Sequence, residues 1–516
     1  MTPLPQPDNS EPNLERMRDV SVLKSNLPKR RAAFNPRRLL AVTLLALIAL
    51  GTLLLGTPWA QSSGLWLWQT PEGAYDFATA WSHLLDTFFM AVSAACVTGL
   101  TLFDLSHYTA FGQTVLLLCI QLGGIGIMTL GTFLMTMLLG RLSVDGESQV
   151  MLTSGTDSAG KARQLLNATI RYVLAFEATG AAIFFARYYW GHGYSAADSC
   201  WHAVFQAVSA FCNAGFSLHP NNLADLSGDW IYALTTAVLV LLGSLGFLVL
   251  ANLQQYRFWR RDLRNRGKIS LHSRIVLWTT FVLVAVGGLQ FTLCEWNAAL
   301  GANPDDSLWT SLLAGDWLTA WDTFCSYCGK ICAGFAQPAM CRTAGFNYIE
   351  MARTTQPTQF SNIFFMLIGG SPGSMAGGLK TTTVVVLFLT MRAMIQGNPD
   401  IQVHRRTIPG AVSREAMVLV FFYLLMLFLA FFVLLATETA VISQCGELAL
   451  FYEVVSAFGT VGSSLNVTPL LSPVGRLIIC VAMYLGRLGP ISVAIIMAGR
   501  ETTRRIRYPE ESVTVG

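Results

Sequence analysis

A short apolar stretch recurs four times in the chain, and each copy stops at a glycine. The copies read V-S-A-A-C-V-T-G-L from Val92, V-S-A-F-C-N-A-G-F from Val208, Q-P-A-M-C-R-T-A-G-F from Gln337 and V-S-A-F-G-T-V-G-S from Val455. The stopping glycines lie 116, 130 and 117 residues apart, at Gly99, Gly215, Gly345 and Gly462. Repeats of that length are domains rather than solenoid units. A second glycine follows each, after 24, 28, 24 and 24 residues, at Gly123, Gly243, Gly369 and Gly486. The chain is therefore predicted to contain four copies of one unit.

The composition places these units in a membrane. Of the 516 residues, 53% are hydrophobic and only 12% are charged. The chain is therefore too apolar to bury all of its nonpolar surface in the core of a soluble protein. Eight apolar runs are predicted to be helices that cross ~30 Å of hydrocarbon, two in each repeat. They are Leu39 to Leu55, Gly112 to Leu139, Tyr172 to Phe185, Trp230 to Ala251, Ile275 to Leu293, Phe360 to Met391, Val418 to Leu435 and Leu477 to Met497. We therefore expect an all-α integral membrane protein.

The distribution of positive charge predicts the orientation. Residues 58–111, 188–229 and 437–475 contain no Lys or Arg, whereas 141–163 and 257–274 are basic. Because Lys and Arg favour cytoplasmic loops, both termini are predicted in the cytoplasm and the repeated stretches near the outer face. Repeat 3 is an exception to this charge pattern, since the segment assigned to its outer side carries Lys330, Arg342 and Arg353. The orientation is therefore taken from the other three repeats.

These features predict the following organisation. Residues 1–38 form a cytoplasmic tail, 39–140 repeat 1, 141–252 repeat 2 with a preceding cytoplasmic linker, 253–392 repeat 3 with its second span broken at 369–378, 393–500 repeat 4, and 501–516 a second cytoplasmic tail. An external insert is expected around Asn297 to Trp321.

The repeated stretches themselves are too short to cross the membrane. Segments such as Phe77 to Cys96 and Ala197 to Cys212 are predicted to be re-entrant helices, and the irregular backbone after them must line a water-filled path. Four such helices that converge would bring together four helix carboxyl ends and rings of backbone carbonyls, which suit a dehydrated monovalent cation. Glycine allows the backbone to turn there at little cost. The alternative is four ordinary packing glycines.

These four loops occur together with two further motifs. They are G-G-S-P-G-S-M-A-G-G-L-K-T-T-T from Gly369 to Thr383 and L-G-R-L-G-P from Leu485 to Pro490. With all six motifs in the family's order over residues 38–500, the chain resembles the Trk/Ktr/HKT superfamily of potassium transporters, and most of all its KtrB branch, the ion-translocating subunit of Ktr systems. The resemblance implies a pseudo-fourfold pore, like a tetrameric potassium channel in one chain. It also implies a homodimer and a cytoplasmic, nucleotide-binding KtrA-like ring as regulator.

The resemblance also implies which residues form the selectivity filter. They are Val97, Thr98 and Gly99; Asn213, Ala214 and Gly215; Thr343, Ala344 and Gly345; and Thr460, Val461 and Gly462. In this family a glycine at the first-loop position goes with potassium, and a serine there goes with sodium in some plant members. Gly99 therefore favours K⁺ as the transported ion, with Na⁺ as a further candidate. No organic cofactor and no nucleic acid partner are expected.

Two further elements are gate candidates. A glycine-rich interruption breaks the second span of repeat 3, and its residues are Gly369, Gly370, Ser371, Pro372, Gly373, Ser374, Met375, Ala376, Gly377 and Gly378. Met375 departs from the small hydroxyl residue usual in the family. Arg487 stands where the sister repeats have Gly124, Ser244 and Gly370, and an arginine inside a membrane normally faces the interior or water. The alternatives are a passive kink and a structural arginine.

Other functions remain open at this level. A sodium-permeable HKT-like transporter has the same architecture. A secondary carrier for another small solute would have broken helices as well, but it predicts two inverted halves rather than four repeats of one direction. A voltage-gated channel is disfavoured because no span carries an arginine at every third position. An enzyme is not expected, since the chain has no Walker loop, paired catalytic carboxylates or nucleophile elbow.

Overall fold

A computed structural model describes residues 36–62, 77–126, 159–226, 229–255, 269–296, 317–398, 400–403 and 406–489. The predicted linker before repeat 2, the terminal tails up to residue 35 and from 490, and most of the expected insert lie outside these residues. So do residues 127–139 and 490–497, which end two of the predicted spans.

The described residues are mostly helical, and each predicted repeat has a first helix, a helix that ends at the glycine turn and at least one helix after the turn. The helix before the turn has 13 to 19 residues in repeats 1, 2 and 4 but 27 in repeat 3, where a short helix was expected. Repeat 1 has α1 (Pro36–Leu55), α2 (Phe77–Ala95) and α3 (Ala110–Gly124); repeat 2 has α4 (Ala159–Ala186), α5 (Ala196–Phe211), α6 (Trp230–Leu245) and α7 (Phe247–Gln255). Repeat 3 has α8 (Leu271–Glu295), α9 (Trp317–Thr343), α10 (Gln356–Leu367) and α11 (Thr381–Ile395). Repeat 4 has α12 (Gly410–Thr437), α13 (Thr439–Cys445), α14 (Glu447–Gly459) and α15 (Pro473–Leu488).

Three of the described helices are long and apolar enough to cross a membrane, at Thr169–Gly191, Leu271–Glu295 and Gly410–Thr437. All three are first helices, of repeats 2, 3 and 4. Two sharply bent helix pairs, α6 with α7 and α13 with α14, would raise the number to five if each were one span. The chain is thus a multi-pass membrane protein, while the described residues give fewer full-length spans than the eight predicted.

The prediction of one continuous span from Trp230 to Ala251 is wrong. Helix α6 ends at Leu245, and α7 leaves at an angle of 96°. The bend is at Gly246, whose φ of +81° only glycine adopts easily. A Cβ on Gly246 would also meet the Ser371 hydroxyl, so the broken segment of repeat 3 occupies the space that a straight helix would need.

The first and last helices of repeats 3 and 4 are joined in the same way. Glu295, the last residue of α8, accepts a hydrogen bond from the backbone N–H of Thr355 at 2.9 Å. Glu438, which follows α12, accepts one from the N–H of Ser472 at 3.1 Å. Thr355 and Ser472 are the N-cap residues of α10 and α15, so a buried carboxylate satisfies a free N–H at each helix start. The shared junction is what two copies of one unit should have.

Burial separates an inner from an outer set of helices. The helices before the turns are buried towards their carboxyl ends, and α14 is buried over most of its length, with ten residues from Ala449 to Gly459 shielded. In contrast, α12 exposes Phe421, Leu429 and Phe432, which suits contact with lipid. After α11, a two-stranded antiparallel hairpin of β1 (Ile401–Val403) and β2 (Arg406–Ile408) precedes α12.

Candidate functional site

The four repeated glycines meet in one closed cycle. A side-chain Cβ added to any of them would overlap a backbone carbonyl oxygen of the next loop. The pairs are Gly99 with Ala214, Gly215 with Ala344, Gly345 with Val461, and Gly462 with Thr98. Since the fourth loop touches the first, the four turns surround a common axis. Only glycine fits at these positions, because every contact is with backbone that cannot move aside.

At each turn the chain reverses direction after a helix, and the backbone has the conformation that such a turn requires. The four glycines have φ values of +95°, +73°, +62° and +91° in chain order. Two residues earlier, Val97, Asn213 and Thr460 also have positive φ, at 56°, 62° and 49°. Such values are unusual for residues with a Cβ and indicate a backbone constrained by its surroundings.

The third loop departs from this pattern. In the other three loops, the backbone N–H of the residue before the glycine donates to the carbonyl oxygen of a serine five positions earlier, at 2.8 to 2.9 Å. The donor and acceptor residues are Thr98 and Ser93, Ala214 and Ser209, and Val461 and Ser456. In repeat 3 this bond shifts by one residue, so that Gly345 donates to Met340 at 3.0 Å. The helix correspondingly continues to Thr343, which was predicted to be a loop residue. The matching sequence has Pro338 and Ala339 instead of V-S, and this explains the shift.

A side chain from each short helix supports the turn that follows it. Ser93 Oγ accepts from the N–H of Gly99 at 3.1 Å, and Ser456 Oγ accepts from that of Gly462 at 3.0 Å. Ser209 Oγ instead donates to Phe216 O at 2.6 Å. In repeat 3 Gln337 takes over, since its Nε2 donates to Phe346 O at 3.2 Å. The serine of the V-S-A stretch is thus a support for the turn.

Two threonine hydroxyls at the turns have no partner among the described residues. The Oγ1 atoms of Thr98 and Thr460 are buried and form no hydrogen bond there. In contrast, the Thr343 hydroxyl lies 2.8 Å from the Asn213 side-chain amide. Buried hydroxyl oxygens normally have a partner, so Thr98 and Thr460 are exceptions at the turns.

A cavity of about 500 Å³, on the side predicted to face outward, opens onto the turns at Gly99 and Gly462. Its lining includes three carboxylates, Asp104, Asp225 and Glu350, and one cation, Arg353, which pairs with Glu350 at 2.6 Å. Asn222, also in the lining, donates to the Gly215 carbonyl at 3.1 Å. The lining therefore carries an excess of negative charge, which favours cations.

The glycine-rich segment 369–378 lies on the other side of the turns. A Cβ on Gly377 would overlap the Thr460 hydroxyl, so this segment packs directly against the fourth loop. Its backbone is also bound to the end of α6: Ser371 N–H donates to Ser244 O at 3.0 Å, and Met375 N–H donates to Gly243 O at 3.2 Å. The predicted break in the second span of repeat 3 is therefore a non-helical loop held between two repeats.

The Met375 side chain points away from the polar contacts of this loop. It is buried in an apolar cluster that includes Phe211 and Val240. The Met375 backbone carbonyl instead accepts a hydrogen bond from Arg487. The departure from a hydroxyl residue at this position therefore adds apolar packing against repeat 2, and it leaves the backbone contacts in place.

Arg487 bridges the loop to the first repeat. Its Nη1 donates to Met375 O at 2.5 Å, and its Nη2 donates to the carbonyl oxygen of Gly123. Lys380 reaches the same loop, where its Nζ donates to Ala376 O at 2.8 Å. Two cations inside the membrane are thus held by main-chain carbonyls.

The second glycine of each repeat also has a structural reason. A Cβ on Gly123, Gly243 or Gly486 would overlap the carbonyl oxygen four residues before the turn glycine of its own repeat, at Ala95, Phe211 or Phe458. In repeat 3, Gly369 instead packs on the Gly377 carbonyl, inside the loop. The number of residues between the two glycines of a repeat therefore depends on where the helix after the turn crosses the helix before it.

Sequence reasoning missed several residues at this site. Gln337 and Lys380 lie within the quoted motifs but were given no role, and Gly246 and the carboxylates of the cavity were not singled out. Lys380 could have been noticed as a lone cation that follows a glycine-rich interruption in an apolar run. Asp104 and Glu350 each lie five residues after the stopping glycine of their repeat, and this shared spacing could have marked them, whereas Asp225 lies ten residues after Gly215.

Comparison with known proteins agrees with this geometry. Residues 67–503 match the family model TrkH, described as cation transport protein. The chain is 31% identical to Ktr system potassium uptake protein B of Vibrio alginolyticus, over 85% of this chain and 90% of the relative. It is 30% identical to the protein of the same name from Bacillus subtilis, over 94% and 97%. It is 29% identical to the potassium/sodium uptake protein NtpJ of Enterococcus hirae, over 96% and 100%.

A solved structure has the same fold. The crystal structure of the potassium transporter TrkH from Vibrio parahaemolyticus superposes with a TM-score of 0.61 at 16% identity, covering 94% of this chain and 89% of the other. The family match spans most of the chain, and two relatives reach 30% identity over nearly their whole length. The chain therefore belongs to the TrkH family of cation transport proteins, within the Trk/Ktr superfamily.

Proposed function

We propose that this protein is the pore-forming subunit of a potassium uptake system in the cytoplasmic membrane. The observation that carries the proposal is the closed cycle of four glycine turns, in which each turn abuts a carbonyl oxygen of the next. Rings of carbonyl oxygens replace the hydration shell of a monovalent cation. Relatives that match almost end to end are named potassium uptake proteins.

The twelve residues predicted from sequence form the filter in this proposal. Carbonyl oxygens of the four turns bind the ion, and the Thr98 and Thr460 hydroxyls supply further oxygens. Cations collect in the acidic outer cavity and then enter the turns. The membrane potential drives them inward, since each unit charge gains about 2.3 kcal/mol per 100 mV.

Segment 369–378 and Arg487 form the gate below the filter. The loop blocks the path where Gly377 packs against Thr460, and Arg487 holds it closed through the Met375 carbonyl. The positive charge of Arg487 also opposes a cation that crosses while the gate is closed. Opening requires the loop to leave its bonds to Ser244 and Gly243.

Sodium is a second candidate ion, because one relative is named a potassium/sodium uptake protein. Other relatives are named as parts of a Ktr system. We therefore propose a homodimer that works with a cytoplasmic, KtrA-like nucleotide-binding ring. The positive charge in the segments 141–163 and 257–274 supports a cytoplasmic location for these loops and for both termini.

The test is growth and ion uptake in cells that lack other potassium uptake systems, at low external K⁺, with and without Na⁺. We expect the protein to restore growth and to accumulate K⁺ in preference to Na⁺. Failure to restore growth at normal membrane expression, with the partner ring supplied, would contradict the proposal. Equal accumulation of both ions would favour the sodium-permeable alternative.

A further inference from the structure

A ring of four repeats in one chain has only three covalent junctions. Repeats 1 and 2, 2 and 3, and 3 and 4 are joined by the backbone, but repeat 4 returns to repeat 1 without any peptide link. The cycle of turns nevertheless closes there, where Gly462 abuts the Thr98 carbonyl. Side-chain and backbone contacts alone must therefore keep these two turns in register.

The described residues contain ion pairs at four positions, and only one joins two repeats. Asp229 pairs with Arg187 and His192 inside repeat 2, and Arg353 pairs with Glu350 inside repeat 3. The remaining pair joins Arg476 of repeat 4 to Asp86 of repeat 1, with Nη1 and Oδ1 2.5 Å apart. Among the described residues, the ion pair between two repeats thus lies at the junction that lacks a covalent link.

The position of Arg476 follows a pattern of the repeats. Arg476 lies 14 residues after Gly462, on α15, and Gln113 lies 14 residues after Gly99, on α3. Gln113 Oε1 accepts a hydrogen bond from Trp201 Nε1 of the next short helix, α5, at 2.7 Å. This position thus contacts the following repeat in repeats 1 and 4, through a neutral hydrogen bond where the chain is continuous and through an ion pair where it is not. The residues at the same position in repeats 2 and 3, Asp229 and Gln359, contact their own repeats.

Both partners of the pair are held in place. Arg476 also donates from Nε to Leu471 O at 3.0 Å and from Nη2 to Pro469 O at 3.4 Å, and its side chain is only 20% exposed. Asp86 lies on α2, about 14 Å along the helix axis from Ala95. Because α2 ends just before the turn at Val97 to Gly99, a displacement of Asp86 tilts α2 and changes the angle at which this turn meets Gly462.

We propose that the Asp86–Arg476 pair closes the ring of repeats and sets the register between the first and fourth filter turns. Neither side chain touches the ion, so both are positioning residues. The inference rests on the proposed function in one respect, since a shifted register affects ion preference only if the turns form a K⁺ filter.

The experiment compares Asp86→Asn, Arg476→Gln and the double variant in the full-length protein, produced at matched membrane levels. Arg187→Gln is the control, because it removes an ion pair on the same side of the protein but within one repeat. The readouts are the ratio of Na⁺ to K⁺ uptake and the melting temperature of the purified protein. Arg476→Lys, which keeps the charge, is the second variant if Arg476→Gln does not reach the membrane.

Each single variant should raise the Na⁺ to K⁺ uptake ratio about fivefold, within the range of coupling between contacting side chains, and the double variant should match the single ones. Arg476→Lys should give a smaller change of the same direction. Arg187→Gln should keep the wild-type ratio. A wild-type ratio in both single variants, additive effects in the double variant, or an equal change in Arg187→Gln would overturn the proposal.

The melting temperature separates this inference from the proposed function. A wild-type protein that does not distinguish K⁺ from Na⁺ would contradict the proposed filter but not ring closure. Ring closure would still predict that the two single variants and the double variant have the same decrease in melting temperature. Additive losses in that measurement would overturn ring closure itself.

Discussion

Replacement of Arg487 by Gln tests the gate most directly. In the structure, Arg487 Nη1 donates to Met375 O at 2.5 Å, and in the proposed gate this bond holds the glycine-rich loop closed. A hydrogen bond to a charged group contributes about 1.5–3 kcal/mol. Each ~1.4 kcal/mol changes an equilibrium constant tenfold, so losing this bond should raise the ratio of open to closed protein about 10- to 150-fold.

The assay is the initial rate of K⁺ uptake in cells without other uptake systems, normalised to the amount of protein in the membrane. Arg487→Lys separates two contributions, because it keeps the positive charge but loses the two-armed contact with Met375 and Gly123. We expect Arg487→Gln to be faster than Arg487→Lys, and both to be faster than wild type. Arg392→Gln, which removes an exposed arginine at the end of α11, is the control and should behave as wild type. An unchanged rate in a well-expressed Arg487→Gln protein would refute the reasoning.

Three further predictions address the filter, the loop and the outer face. Gly99→Ser places a Cβ against the Ala214 carbonyl at a φ of +95°, and it should lower the preference for K⁺ over Na⁺ in competitive uptake; wild-type discrimination would remove Gly99 from the filter. Gly377→Val adds a side chain against the Thr460 hydroxyl, and the overpacking should destabilise the closed position of the loop by ~1–3 kcal/mol. The rate of K⁺ uptake should therefore rise about tenfold. A slower rate at equal expression would argue against a gate at this position. Burial and the nearby His202 lower the pKa of His219, on the outer loop beside the Tyr188 hydroxyl, from 6.5 to about 4. The unfolded chain therefore binds a proton first as the pH falls, so the melting temperature should drop between pH 6.5 and 4, and it should drop less in His219→Gln. Equal drops in both proteins would contradict this account.

Much of the site could be predicted from the sequence because each of its main residues has a local reason that recurs four times. A helix that must end in a turn beside another backbone requires glycine, and Gly99, Gly215, Gly345 and Gly462 all meet that requirement. The break at 369–378 was equally visible, since Pro372 and five glycines interrupt an apolar run.

The two errors of prediction have different origins. The extension of α9 to Thr343 goes with a local change of sequence, from V-S to Pro338 and Ala339, whereas the bend at Gly246 depends on a neighbour that is distant in the sequence. Gly246 resembles any other glycine in an apolar run until the loop around Ser371 occupies the space beside it. Hydropathy records only whether a segment can be in lipid, so it cannot distinguish a straight span from one displaced by another repeat.

The sequence by itself determined the membrane environment, the number of repeats and the glycines at which their turns end, because these depend on hydrophobic length and on the steric limits of single residues. Only the tertiary structure decided which turn abuts which, that Arg487 reaches Met375 across more than a hundred residues, and that Asp86 meets Arg476 at the open junction. Those pairings arise when four similar units pack around one axis, and no local property of either partner encodes them.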